Sequence, residues 1–187
     1  KDNNHTQWAY MSVSISDEEY PHCLRILKKP PEHLWYAWNW GVLQKTLVGT
    51  VWPRKPSEYT QMVLEEYLTT AVQYDHCTIS WWASWVDMTV HMRSLDAWIP
   101  TVVVLWMGLN KGLKSSRRVL YKKIIASGWL ILSEFPPTFW ARSWTYPQRN
   151  RIISAFSTFV YIPWWKRNSW TEHTLKAAID QNIPLYW

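Results

Sequence analysis

The sequence predicts an α/β fold: a mostly parallel sheet with helices on both faces. Three observations carry this. From Lys45 onward, short apolar runs alternate with longer amphipathic stretches. The run Thr101–Leu105 reads TVVVL, β-branched almost throughout, as a strand buried on both faces does. Turn residues separate the two kinds of segment, and helices between strands imply right-handed βαβ crossovers.

The elements follow in order. Residues 1–19 are polar and read as a loose lead-in. Tyr20-Pro21 to Leu43 is a short segment broken at Lys28-Lys29-Pro30-Pro31. Leu47–Val51 is a strand. Ser57 is an N-cap candidate for a helix reaching Tyr74, with Met62, Val63, Tyr67, Leu68, Ala71 and Val72 at helical spacing. Cys77–Ser80 is a strand and Val86–Ala97 a helix. After Thr101–Leu105 come a helix over Ser116–Ser127, stopped by Gly128, and a strand over Leu130–Ser133. A helix over Gln148–Ser157 follows Pro147. Phe159–Ile162 is a strand, Thr171–Gln181 a helix and Ile183–Tyr186 a last strand. The sum is a three-layer, Rossmann-like α/β/α domain over 45–187, with residues 1–44 as an N-terminal extension packing on it.

Composition bounds the function. A chain of 187 residues and 22.4 kDa suffices for one domain with a full core. Net charge is +6 and the pI about 9.3, which suits a polyanionic partner without proving one. Cys23 and Cys77 match no disulfide framework, so a reduced, cytoplasmic compartment fits. The six histidines are scattered, with no HExxH and no CxxC, and no metal or other cofactor is assigned. No apolar run approaches the ~20 residues of a membrane span. The polar start, Lys1 to His5, is not that of a signal peptide.

Ligands of such sheets bind outside the carboxyl ends of the strands. The loops there are 52–57, 80–87, 106–112, 133–147 and 163–171. Every motif below falls in one of them or at the helix start just after it.

Five stretches carry a resemblance. The first is Arg54-Lys55-Pro56-Ser57-Glu58-Tyr59. The second runs from Ser80 through Ala83 to Asp87 with His91. The third is Thr101–Gly108, TVVVLWMG. The fourth is LSEFPP from Leu132, then YPQRNRII from Tyr146. The fifth is Ser169-Trp170-Thr171-Glu172-His173-Thr174. Together, from about residue 16 onward, the chain resembles the DNA-processing protein A (DprA/Smf) family. The fourth stretch is nearly intact and the most specific. The resemblance implies binding of single-stranded DNA, delivery of the strand to the recombinase RecA, and pairing into a homodimer.

The departures are systematic. Seventeen residues are Trp and only five are Gly. Trp38, Trp52, Trp81, Trp85, Trp98, Trp106 and Trp170 stand where the family has Gly, Thr60 replaces another, and Trp164 and Trp165 stand where it usually has Glu-Ala. Glycine at such turns supplies a positive φ or lets a ligand approach the bare backbone. Tryptophan does neither. Trp52, Trp81, Trp85, Trp106 and Trp170 are expected to converge at the strand ends and fill the phosphate pocket. Outward rings acting as base-stacking platforms are the alternative. Trp38 and Trp98, away from these loops, are expected to be core filler. Replacement at so many aligned turns is unlike ordinary drift and suggests an altered or designed sequence.

Arg54, Arg149, Arg151 and Lys166 are the candidate phosphate contacts, with Ser57, Asn150, Ser169 and Thr171 adding hydrogen bonds. Arg149 and Arg151 open a helix, where the dipole does not favour cations, so a nearby anion would explain them better. An internal salt bridge to Glu134 or Asp87 is the alternative for one of them. Asp87 and His91, four apart on a helix, could be an acid–base pair. A hydrogen bond fixing the preceding loop is the blander reading. No nucleophile–base set is legible, so no catalytic residue is assigned. Two alternatives remain for the whole chain. One is a nucleotide-binding or nucleoside-phosphate-cleaving enzyme of the lysine-decarboxylase-like (LOG) group, faintly echoed by Pro163-Trp164-Trp165 and Trp170-Thr171-Glu172. The other is an inert scaffold.

Overall fold

The structure, a computed structural model, describes residues 9–51, 58–81, 85–111, 115–162 and 170–186, apart from the side chains at 60, 85–87, 115–117 and 170. Strands are β1 (Met11–Ser14), β2 (His33–Ala37), β3 (Leu47–Thr50), β4 (Cys77–Trp81), β5 (Thr101–Val104), β6 (Leu130–Ser133), β7 (Phe159–Tyr161) and β8 (Leu185–Tyr186). Helices are α1 (His22–Arg25), α2 (Glu58–Gln73), α3 (Trp85–Asp96), α4 (Ser115–Ala126), α5 (Thr145–Gln148), α6 (Asn150–Phe156) and α7 (Trp170–Asp180). A 3-10 turn, Trp40–Gln44, precedes β3.

All eight strands form one sheet in the order β1-β2-β6-β5-β4-β3-β7-β8. The pairs among β3 to β8 are parallel; β1–β2 and β2–β6 are antiparallel. From β3 the chain winds through β4 and β5 to β6, then returns to place β7 and β8 on the other flank. The topological switch point therefore lies between β3 and β7.

Side chains alternate across the sheet with period two. Val102, Val104, Leu130 and Leu132 face one layer with Ile152, Ile153 and Phe156 of α6 and Ala178 of α7. Val103 and Ile131 face the other with Leu120, Tyr121 and Ile124 of α4. Val48 continues that second face against Val63, Leu64 and Leu68 of α2 and Val90 of α3. Both faces are thus covered, which is the α/β/α sandwich expected.

Two readings are corrected. Residues 11–14 are not loose lead-in: MSVSIS alternates apolar and polar residues, Val13 is buried, and the segment is an edge strand on β2. The helix expected over Gln148–Ser157 begins earlier, at Thr145, and divides at Arg149 into α5 and α6. Pro147 sits in the first turn, where its missing N–H would have no intrahelical partner.

Four helices end on one hydrogen-bonded turn. After α4, Gly128 N–H donates to Ile125 O at 2.9 Å and Trp129 N–H to Ile124 O at 3.1 Å. This is the Schellman pattern, with Gly128 in the left-handed region at φ 78°. Asp75 after α2 and Asn182 after α7 repeat it, at φ 51° and 55°. So does Trp98 after α3: its N–H bonds Leu95 O at 3.1 Å, Ile99 N–H bonds Ser94 O at 2.8 Å, and φ is 57°. Trp38 is also left-handed, at φ 83°. Neither indole is core filler: Trp98 is 80% exposed and Trp38 49%. Backbone geometry, not burial, governs both positions.

Candidate nucleic-acid interface

The strand ends converge on Arg149. β4 closes at Trp81, and the chain leaving β5 turns through Leu105, Trp106 and Met107 to Gly108. A Cβ at Gly108 would stand 2.0 Å from Pro136 O, so only glycine lets this turn lie against the loop after β6. Ser133 at the end of β6 ties the two loops: its Oγ–H donates to Met107 O at 2.8 Å and accepts from Phe135 N–H at 3.0 Å.

Arg149, at the junction of α5 and α6, reaches this point and is 2% exposed. Its guanidinium carbon lies 4.7 Å from the Trp106 ring centroid and 5.3 Å from that of Trp81. Trp106 in turn stacks on Tyr146, with centroids 5.0 Å apart and planes 26° apart. Both indoles are buried. Each desolvated cation–π contact contributes up to about 2 kcal/mol, against a cost of several kcal/mol for taking a cation out of water. Trp81 Nε1 is buried with no hydrogen-bond partner among the described residues, and so is Asn150 Oδ1. Polar capacity is therefore gathered and shut away around one cation.

Arg151 plays another part. Its Nη1 and Nη2 donate to Glu134 Oε1 and Oε2 at 2.9 and 2.7 Å, a bidentate pair. Nη1 also donates to Gln148 O at 2.8 Å and Nε to Lys29 O at 2.9 Å. Gln148 Nε2 completes the carboxylate at 2.8 Å. The internal salt bridge held open as an alternative is the arrangement present. It fastens α6 to the loop after β6 and to the segment before β2.

His91 is fully buried. Its Nε2–H donates to Trp81 O at 3.0 Å, which leaves Nδ1 to accept from Thr101 Oγ1 at 2.7 Å. Thr78 Oγ1 donates to Thr101 Oγ1 at 2.7 Å and lies 3.2 Å from Ser94 Oγ. Burial pushes the imidazole down to about 4. This ring is neutral and ties α3 to the end of β4. Burial also raises both thiols, Cys23 to about 11 and Cys77 further, so neither is a ready nucleophile. Among the described residues no three His, Cys, Asp or Glu gather as a metal site, and no helix is long and apolar enough to cross a membrane.

Of the remaining expected residues, Thr171 is buried in the first turn of α7. Arg54, Ser57, Lys166, Ser169 and Trp52 lie outside the described residues, as do the side chains of Trp85, Asp87 and Trp170. The sequence reading missed Tyr146, whose only signal is an aromatic just before Pro147. It also missed the hydroxyl relay of Thr78, Ser94 and Thr101, which no spacing announces.

A doubly wound α/β domain with helices on both faces of its sheet defines a broad fold class. The family is specific. A family model, DNA recombination-mediator protein A, matches residues 11–187, and the chain belongs to that family. It is similar to DNA processing protein DprA of Bacillus subtilis, 28% identical over 176 residues, covering 94% of this chain and 59% of that protein. Protein Smf of Synechocystis is 28% identical over 189 residues, covering 97% and 46%. The chain thus spans roughly half the length of these relatives. The X-ray structure of DprA from Streptococcus pneumoniae superposes with a TM-score of 0.85 at 25% identity, over 94% of this chain and 62% of that one. The DNA processing protein A of Helicobacter pylori, solved for its single-stranded DNA binding mode, superposes at 0.83 with 23% identity, over 96% and 80%, and shares the fold.

Proposed function

We propose that this chain is a single-stranded DNA-binding domain that acts by binding and not by catalysis, within a protein that mediates DNA recombination. Arg149 carries the reading: a guanidinium held at the carboxyl edge of a parallel sheet, inside the motif YPQRNRII. Asn150 on α6 and Thr171 on α7 are assigned further hydrogen bonds to the strand in this reading. In this reading Arg54, Ser57, Lys166 and Ser169, which follow β3 and β7 in the sequence, complete the phosphate contacts. Arg151 acts indirectly, by holding α6 in place. Trp81 and Trp106 cover Arg149 and impair binding; Trp52, Trp85 and Trp170 add to the obstruction. RecA and a second copy of the chain are the protein partners this reading implies.

A salt titration of fluorescent oligo-dT binding tests it. Phosphate neutralisation releases counterions, so affinity should fall linearly in log–log form with salt, by about 0.7 per contact. A flat salt response, or saturable mononucleotide binding with turnover, would contradict the reading.

A further inference from the structure

The helix that ends at Trp98 is capped like three others, and only its capping residue is out of place. The equivalent residues are Asp75, Gly128 and Asn182, all types that adopt the left-handed region readily. Trp98 adopts it with a β-carbon and a ring 80% exposed, so no burial offsets the strain. Trp38 repeats the case. Trp81 and Trp106 carry the opposite burden: they are buried, they cover the cation of the site, and Trp81 Nε1 has no hydrogen-bond partner among the described residues. One residue type, glycine, relieves strain in the first pair and obstruction in the second.

The composition says the same. Average proteins have about 7% glycine, which would be roughly thirteen residues here. The chain has five, beside seventeen tryptophans. Ordinary mutation would scatter family glycines over many residue types. Under the resemblance, seven of them read tryptophan, with Thr60 the exception, while Gly108 remains. A change that falls mainly from glycine to tryptophan, at some glycines and not others, is the signature of a single codon with two readings.

We infer that the tryptophans at the family's glycine turns, Trp98 and Trp106 among them, are specified by UGA triplets, which one genetic code reads as tryptophan and another as glycine, and that the cell making this protein inserts glycine there. The retained glycines are then those written with the four ordinary glycine codons. The functional molecule has standard Schellman caps and an open strand edge at which Arg149 meets its ligand.

Peptide mass spectrometry of the protein isolated from its source cells decides this, independently of any DNA-binding assay. The tryptic peptide Ser94–Lys111 contains both Trp98 and Trp106. The expected result is glycine at both positions, with UGA in the gene. Tryptophan at either position in the native peptide, or UGG triplets in the gene, would overturn the inference.

Discussion

Arg151 and Glu134 form a two-pronged ion pair, with Nη1–Oε1 at 2.9 Å and Nη2–Oε2 at 2.7 Å, in which the carboxylate is 5% exposed and the arginine 19%. The pair sits within the most specific motif of the resemblance, and it fastens α6 to the loop after β6. Removing one partner leaves the other charged and poorly solvated. Arg151→Ala should therefore cost about 3 kcal/mol of stability, read as a lower midpoint in urea unfolding. A loss within about 0.5 kcal/mol, as for an ordinary surface substitution, would contradict this role.

Trp98→Gly should stabilise the chain. Relief of a left-handed β-carbon is worth about 1–2 kcal/mol, less the ~0.5–1 kcal/mol by which glycine loosens the unfolded state. The exposed ring gives up little packing. Gly128→Ala, at the same place in the same kind of cap, should do the reverse. Thermal melts of the two variants should move in opposite directions; a fall in melting temperature for Trp98→Gly would count against the cap analysis.

His91 makes stability depend on pH. Its folded value is about 4, against an ordinary 6.5. The unfolded chain therefore binds more protons between those limits, and stability is lost as pH falls from 6.5 through 4. The full shift corresponds to roughly 3 kcal/mol. In physical terms, a protonated Nδ1 can no longer accept from Thr101. Urea midpoints at pH 7 and pH 4.5 should differ for the parent, and much less for His91→Gln. An unchanged pH slope in the variant would show that other groups carry it.

Much of this was legible in the sequence, for reasons that can be named. The parallel core announces itself because a strand buried on both faces is apolar on both, as Val102–Leu105 and Leu130–Leu132 are. Motifs placed Arg149, Asn150 and Arg151 on one helix start, but not where their side chains go. Arg149 turns inward between two rings and Arg151 across to Glu134, a choice made by packing partners far apart in sequence. The β1 strand was readable from MSVSIS and was hidden only by the polar residues around it. The four helix caps were invisible at Trp98, since a C′ residue is recognised by being Gly or Asn.

The most direct test concerns the cover over Arg149. The variant Trp81→Gly/Trp106→Gly should bind oligo-dT at least tenfold more tightly than the parent at low salt, with a steeper salt dependence, and adding Arg149→Ala should abolish the gain. Unchanged affinity in the double variant, with its fold intact by circular dichroism, would contradict the account of a phosphate site closed by indoles.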